Sequence, residues 1–277
     1  MKNKRVLLLH CGGEYIRGTE FCVLKVASAL SEAGACLYLV CNRLHLMISN
    51  LEVDLHKSRE LAFDDVIYSK YFWREPWLKH WLQVKTLATF CRENKIDVIY
   101  ASGGVPTQFA IHARRYFSLD VKVLSHFHHP ANNQYYNSWC LGSADTVVCP
   151  SQYTSSELLG AGVASTVVYN GVDVHFSGGT VPAFSTSEAR LCFIGHLERN
   201  KRVDWLLRAV ARLFDEGYVF HLDIVGIGSQ FDDLNALVDE LGVRPVVTFH
   251  GRVDSIYDVL NKADLHVLTS DAEGLGI

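Results

Sequence analysis

The stretch that decides the fold is "RLCFIGHLERNKRVDWLLRAV", residues 190–210. A short apolar run is followed by a polar loop, and then by apolar residues at helical spacing. This strand–loop–helix order is the basic unit of a parallel α/β sheet. Lys201 stands just before the helix, six residues after Gly195. A cation beside a helix N-terminus suits a bound diphosphate, whereas a solvated surface lysine is the ordinary alternative.

The same unit recurs along the rest of the chain, outward from this stretch. The other predicted strands are RVLLLH (5–10), ACLYLVC (35–41), DVIYASGG (97–104), VKVLSHFH (121–128), DTVVCPS (145–151), STVVYNGVD (165–173), VFHLDIVG (219–226), VVTFHG (246–251) and DLHVLTS (264–270). The predicted helices cover 20–34, 106–117, 132–143, 152–160, 203–217, 230–242 and 255–262. Binding in such folds occurs at the carboxyl ends of strands.

A break in this periodicity divides the chain. Residues 174–188 collect Gly, Ser, Thr and Pro, as a domain junction does. We therefore predict an α/β protein with two Rossmann-like, doubly wound parallel-sheet domains. The first covers residues 1–173, and the second covers residues 189–277 and is incomplete after about four strands.

Composition excludes several classes of protein. Hydrophobic residues make up 49% and charged residues 20%, as in globular proteins. No apolar run is long enough for a membrane span or a signal peptide, so we expect a cytoplasmic protein. Residues 1–180 carry 17 Lys and Arg against 15 Asp and Glu, and residues 181–277 carry 9 against 15, so nucleic-acid binding is not expected. The eight cysteines form no C-x-x-C pair, which predicts reduced core thiols and no zinc site.

Two glycine-rich loops follow predicted strands. In "CGGEYIRGTE" (11–20) the glycines let the backbone approach a ligand at the start of a helix, although a simple turn explains them equally well. Glu14 stands where a dinucleotide pyrophosphate would lie, which argues against that ligand. In "IVGIGSQFDDL" (224–234), Phe231 replaces the third glycine of an NAD fingerprint. Gly226 and Gly228 instead suit a turn close to a nucleotide.

Histidines end one strand, in "SHFHHP" (125–130). Alternation along the strand puts His126 and His128 on one side and His129 on the other, which disfavours a three-histidine metal site. Each of them is either a structural histidine or a functional one. His128, the last on its strand, is the best placed to face a cleft.

An aromatic and basic segment, "YFWREPWLKHWLQVKTL" (71–87), has Trp77 and Trp81 one helical turn apart, with Lys79 and Lys85 nearby. Pro76 is well placed to begin a helix. The stripe is either a core face or, through residues 73–85, a peripheral membrane surface.

Five of these stretches together resemble the retaining glycosyltransferases of family 4, the "group 1" transferases with the GT-B fold. They are RGTEFCVLKVASAL (17–30), VVYNGVD (167–173), GHLERNKRVDWLLRAV (195–210), LDIVGIGSQFDDL with VVTFHG (222–234 and 246–251), and ADLHVLTSDAEGLGI (263–277). The resemblance runs from Arg5 to Ile277 and is weak between 45 and 95.

The resemblance implies transfer of a sugar from a nucleotide diphosphate donor to a glycan, lipid-linked or small-molecule acceptor, with retention of anomeric configuration. It implies catalytic roles for His128, Lys201 and Glu273. The implied donor-binding residues are Gly18, Gly195, His196, Arg199, Lys201, Gly226, Gly228, Glu273 and Gly274. No metal and no cofactor besides the nucleotide sugar is expected. Relatives usually carry arginine at the position of His196, so Arg199 or Arg202 is expected to supply the second positive charge.

Glu273 matches the first of two glutamates in the family's donor-site signature. The second would fall four residues beyond Ile277, so the resemblance implies a truncated chain that transfers little sugar. Two alternatives stay open at this point. One is a GT-B sugar-nucleotide epimerase, which would release free nucleotide without an acceptor. The other is a non-catalytic protein that only binds a nucleotide sugar.

Overall fold

The computed structural model describes residues 2–13, 16, 18–62, 75–128, 139–171, 188–271 and 273–275. These residues form two compact units. The first unit contains the described residues up to 171 together with Gly274 and Leu275, and the second contains residues 188–273. The predicted linker, apart from its last residue, lies outside the described residues.

The first unit contains a sheet of seven described strands, all paired in parallel, in the order β3-β2-β1-β4-β5-β6-β7. The strands are β1 (Arg5–His10), β2 (Cys36–Cys41), β3 (Lys57–Glu60), β4 (Val98–Ser102), β5 (Lys122–His126), β6 (Thr146–Cys149) and β7 (Thr166–Val167). The helices are α1 (Gly18–Glu32), α2 (Leu44–Ser49), α3 (Glu75–Glu93), α4 (Gly104–Tyr116) and α5 (Gln152–Gly160).

Strand β1 is an interior strand of this sheet, and its two faces pack into different cores. Leu7 and Leu9 join a cluster with residues of α3 and α4, whereas Val6 and Leu8 join a cluster with residues of α1. Burial on both faces explains why the strand reads as a continuous apolar run. Strand order reverses at β1, which pairs with both β2 and β4. Ligands of such sheets bind at this switch point, beyond the carboxyl ends of the strands.

The second unit contains a parallel sheet of four described strands in the order β10-β9-β8-β11. Its strands are β8 (Ala189–Ile194), β9 (Phe220–Val225), β10 (Val247–Gly251) and β11 (Leu265–His266). Its helices are α6 (Val203–Asp215), α7 (Phe231–Glu240) and α8 (Tyr257–Leu260). Leu206, Leu207 and Val210 place one face of α6 in the core. The switch point of this sheet lies between β8 and β11.

The predicted α/β architecture with parallel sheets is confirmed. Differences from the predicted elements occur at the sheet edges. Strand β3 and helix α2 were not predicted, and β11 has two residues where the sequence suggested a longer strand. Most of the helix predicted at 132–143 lies outside the described residues, and a 3-10 turn covers Leu141–Ser143.

Two further sequence predictions concern the cysteines and the membrane. All eight cysteines are free thiols, and burial raises the pKa of Cys91 to about 12, so this thiol is protonated and inert at neutral pH. Among the described residues, no helix has both the length and the hydropathy that crossing a bilayer requires.

Candidate active site

The second unit brings Lys201 and Glu273 together at its switch point. Lys201 ends a 3-10 turn that follows β8, and Glu273 follows β11. The Lys201 ammonium donates to Oε1 of Glu273, and the Ser270 hydroxyl donates to the same oxygen at 2.6 Å. The two charged side chains are 22% and 25% exposed, so water and ligands can still reach them. Two residues predicted separately from the sequence thus form one ion pair.

Backbone contacts fix the turn that carries Lys201. The Thr269 hydroxyl lies 3.0 Å from the carbonyl oxygens of both Lys201 and Arg202, to which it donates. The N–H of Asp271 donates to the carbonyl of Asn200 at 2.9 Å. Helix α6 begins directly afterwards, at Val203, and no side chain of the preceding residue caps it. The helix N-terminus thus directly follows the turn that carries Lys201, although the carboxylate of Asp204 already accepts backbone hydrogen bonds there.

The two arginines of this turn differ in their contacts. Arg202 donates two hydrogen bonds of 3.0 Å to Asp204, contacts Asp271 at 3.4 Å, and stacks on the ring of Trp205 at 3.9 Å. The guanidinium of Arg202 also holds the pKa of Asp204 below its usual value. Arg199 is exposed and forms no ion pair with any residue that the structure describes. Of the two, Arg199 is the cation available to a ligand.

Two positions after β9 require glycine, because a neighbouring loop lies too close to leave room for a side chain. A Cβ atom at Gly226, whose φ is +143°, would lie 1.8 Å from the carbonyl oxygen of Gly195. A Cβ atom at Gly228 would lie 2.4 Å from the carbonyl oxygen of Leu197. Glu198 joins the same two loops, because its carboxylate accepts from the hydroxyl of Ser229 at 2.6 Å. Gly226 and Gly228 therefore allow the loop after β9 to lie close to the loop after β8.

Two other predicted residues, His196 and Gly274, are near the pair in sequence. His196 follows Gly195 and is half-buried, in the loop that leads to Lys201. Gly274 is buried and directly follows Glu273.

In the first unit, polar side chains meet at the carboxyl ends of β1, β4 and β5. His10, Ser102 and His126 are in register on these neighbouring strands, and all three are buried. Ser102 Oγ lies 3.1 Å from Nε2 of His128. The rings of His126 and His128 lie 4.0 Å apart, which confirms that they share one side of the chain. His129 lies outside the described residues.

Burial determines the protonation of His126. Its Nδ1 lies 2.6 Å from the hydroxyl of Tyr100, and desolvation lowers its pKa to about 4. The imidazole is therefore neutral at physiological pH.

Within the described ranges, no group of three or more His, Cys, Asp or Glu side chains is arranged to hold a metal ion.

Gly18, which the sequence assigned to donor binding, is the first residue of α1. Sequence reasoning missed two buried residues nearby, His10 at the end of β1 and Glu20 in the first turn of α1. Their side chains meet at 3.3 Å, between His10 Nε2 and Glu20 Oε1. The available signal was a titratable residue at each end of the glycine loop.

Two parallel-sheet α/β units, with charged and glycine-rich loops at the switch point of the second, define the chain as a protein of the GT-B glycosyltransferase fold. A family model described as Glycosyltransferase Family 4 matches residues 16–176. A second model, described as Glycosyl transferases group 1, matches residues 181–277. The chain belongs to glycosyltransferase family 4.

Several relatives and solved structures are similar to this chain. An N-acetyl-alpha-D-glucosaminyl L-malate synthase of Bacillus anthracis is 24% identical over 96% of this chain and 72% of its own length. An uncharacterised glycosyltransferase of Methanocaldococcus jannaschii is 32% identical over 40% of this chain, and the match spans 32% of that protein.

The similar solved structures agree over nearly the whole chain. HepE of Anabaena, in complex with UDP and glucose, has a TM-score of 0.75 at 17% identity, covering 99% of this chain and 76% of HepE. The lipopolysaccharide outer core galactosyltransferase WaaB has a TM-score of 0.73 at 18% identity, covering 98% of this chain and 75% of WaaB. At these identities the likeness concerns the fold.

Proposed function

We propose that this protein is a retaining glycosyltransferase that moves a hexosyl group from a nucleotide diphosphate sugar to a glycan, lipid-linked or small-molecule acceptor. The observation that carries the proposal is the Lys201–Glu273 pair beside the N-terminus of α6. Breaking the glycosidic phosphate bond leaves developing negative charge on the diphosphate. A fixed ammonium and oriented backbone N–H groups stabilise such charge without reorganising.

Three charged residues of the second unit have proposed roles. Lys201 contacts the diphosphate, and Glu273 accepts hydrogen bonds from hydroxyls of the donor sugar. The ion pair also holds the ammonium in place before the donor binds, which reduces the entropy lost in the complex. Family members usually have an arginine at the position of His196. Here Arg199 supplies that second cation, because Arg202 already donates to Asp204.

The proposed metal independence follows from the same cations. With Lys201, Arg199 and a helix N-terminus near one diphosphate, its charge can be offset by groups of the protein. In the first unit, His128 is proposed to act at the reacting sugar, and the backbone at Gly18 to approach the phosphates. Both assignments rest on the family resemblance.

A peripheral membrane contact is proposed for the helix α3. Leu78, Trp81 and Leu82 are 65%, 42% and 50% exposed on one side of this helix, while Val84 is fully buried on the other. Lys85 Nζ lies 5.5 Å from the ring centroid of Trp81. An exposed apolar surface with lysines beside it suits the interface of an anionic bilayer, or a lipid-linked acceptor.

Binding measurements test the donor site. In calorimetric titrations, one of UDP, GDP and ADP should bind, and the corresponding nucleotide sugar should bind more tightly. Glu273→Gln should weaken the nucleotide sugar more than the nucleoside diphosphate, because the lost contact is to the sugar. Glu240→Gln, an exposed glutamate on α7, is the matched control. Equal weakening of both ligands by Glu273→Gln would remove the sugar contact from the proposal.

Product analysis separates the alternatives. A transferase consumes nucleotide sugar only when an acceptor is added. Release of free nucleotide without an acceptor, with an epimerised sugar, would identify an epimerase instead. Tight binding with no turnover against any acceptor would identify a binding protein.

A further inference from the structure

Two neighbouring hydroxyl side chains, Thr269 and Ser270, follow strand β11 and contact the candidate donor-site residues. The Thr269 hydroxyl lies 3.0 Å from the carbonyl oxygens of both Lys201 and Arg202. The Ser270 hydroxyl donates at 2.6 Å to Oε1 of Glu273, the oxygen that also accepts from the Lys201 ammonium. Both hydroxyl residues are half-buried, and all five residues belong to the second unit. The roles proposed for Lys201 and Glu273 involve neither hydroxyl.

Thr269 stabilises a strained turn. Arg202, between the 3-10 turn and α6, has a φ of +49°, in the left-handed region that residues with a Cβ atom seldom adopt. Such a conformation persists where the surrounding contacts fix it. The Thr269 hydroxyl is one of these contacts, because it reaches the carbonyls of Lys201 and of Arg202 itself. Thr269 therefore helps to fix the backbone from which the Lys201 side chain extends.

Ser270 holds the carboxylate of Glu273 independently of the cation. Lys201 and Ser270 both donate to Oε1 of Glu273. A bound diphosphate would compete with Glu273 for the hydrogens of the Lys201 ammonium, whereas the neutral hydroxyl of Ser270 has no reason to leave. Hydrogen bonds to an ionised acceptor are among the strong ones in proteins. A carboxylate that is held in this way loses less conformational freedom when a ligand binds to it.

We propose that Thr269 and Ser270 are positioning residues with separate targets. Thr269 orients Lys201 for the diphosphate, and Ser270 orients Glu273 for the donor sugar. This inference rests on the proposed function, because the two charged residues are those that it assigns to the donor. Neither hydroxyl touches the donor. Each acts through one charged residue, so the loss of each hydroxyl should affect the binding of a different part of the donor.

The two roles predict different binding patterns in calorimetry. The ligands are whichever of UDP, GDP and ADP the parental chain binds, and the hexose conjugate of that nucleotide that binds most tightly. Thr269→Val should weaken the nucleoside diphosphate and the hexose conjugate by the same factor, about tenfold, because both contain the diphosphate. Ser270→Ala should weaken the hexose conjugate about tenfold and leave the affinity for the nucleoside diphosphate at its parental value. Thr269→Ser and Ser270→Thr keep the hydroxyls and should retain both parental affinities.

A double variant tests whether Ser270 acts through Glu273. Glu273→Ala removes the carboxylate, so adding Ser270→Ala to it should cause no further loss of affinity for the hexose conjugate. An additive loss, or a Ser270→Ala variant that weakens both ligands equally, would show that Ser270 is structural only.

The control is another hydroxyl of the same unit. Thr248→Val removes an exposed hydroxyl that lies 3.0 Å from Nε2 of His221, and should bind both ligands as the parental chain does. If Thr248→Val weakens binding as much as Thr269→Val does, the role of Thr269 is refuted. Melting curves establish that each variant is folded at the temperature of the titration, and Thr269→Ala takes the place of the valine variant if that one is not.

The proposed function can fail separately. If the parental chain binds none of the three nucleotides, the donor site itself is refuted, and this inference with it. If Lys201→Ala weakens the nucleoside diphosphate but Thr269→Val does not, the proposed function stands and the role of Thr269 is refuted. The role of Ser270 is refuted in the same way if Glu273→Gln weakens the hexose conjugate but Ser270→Ala does not.

Discussion

Replacing Lys201 by alanine removes the cation that the proposal places on the leaving diphosphate. Lys201 stands two residues before the start of α6, and its ammonium is held by Glu273. Losing one such preorganised charge costs about 2–4 kcal/mol of transition-state stabilisation. At 1.36 kcal/mol for each factor of ten, kcat/KM should fall by roughly 30- to 1000-fold.

The same substitution should leave the stability nearly unchanged. Lys201 and Glu273 are each more than one-fifth exposed, so the ion pair is screened by water. Partly exposed pairs contribute about 1 kcal/mol or less to the free energy of unfolding. Glu273 also keeps the hydrogen bond that it accepts from Ser270, and Thr269 still holds the turn through backbone carbonyls. A large loss of rate with a small change in melting temperature is therefore expected.

The assay is sugar transfer at subsaturating donor, with melting temperatures recorded for the same samples. Lys262→Ala, which removes one exposed lysine of the same unit, is the matched control and should retain the parental rate. Parental kcat/KM in Lys201→Ala would refute the role of this cation. An equal fall in Lys262→Ala would show that net charge, and not position, causes the effect.

Four further predictions follow from the described contacts. Arg199→Ala should weaken donor binding with little change in stability, whereas Arg202→Ala should mainly lower the melting temperature; the reverse pattern would exchange their roles. Gly226→Ala should destabilise the second unit strongly, because its Cβ atom would lie 1.8 Å from a carbonyl oxygen. Gly160→Ala, where a Cβ atom would meet nothing within 4 Å, should raise the free energy of unfolding by up to about 1 kcal/mol, because alanine has the higher helix propensity. Burial lowers the pKa of His126 to about 4 from 6.5, so its contribution to the free energy of unfolding is present above pH 6.5 and is lost as the pH falls toward 4. In denaturant titrations, His126→Gln should lose less stability than the parental protein over that pH window. Transfer activity should survive excess chelator, and abolition by EDTA with rescue by manganese or magnesium would contradict the proposed metal independence.

Periodicity in the sequence was enough to predict most of the sheet and helix order. Strands such as β1 and β2 are buried runs, and α6 has apolar residues at helical spacing, so the local pattern and the tertiary burial agree. Strand β3, with the sequence KSRE, was missed. It lies at the edge of the sheet and is mostly exposed, so it has no apolar pattern and forms through backbone pairing with β2.

The sequence by itself proposed donor-site roles for Lys201 and Glu273, and predicted that each of them follows a strand. Only the tertiary structure brought these two together, because they are joined by the pairing of β11 with β8, and strand order is not encoded in local periodicity. The same holds for the glycines at 226 and 228, whose neighbours belong to the preceding βα loop. It holds also for Glu20, since one buried carboxylate in a helix has no periodic signature. Its partner His10 and the loop that it holds are identified only by the folded contacts.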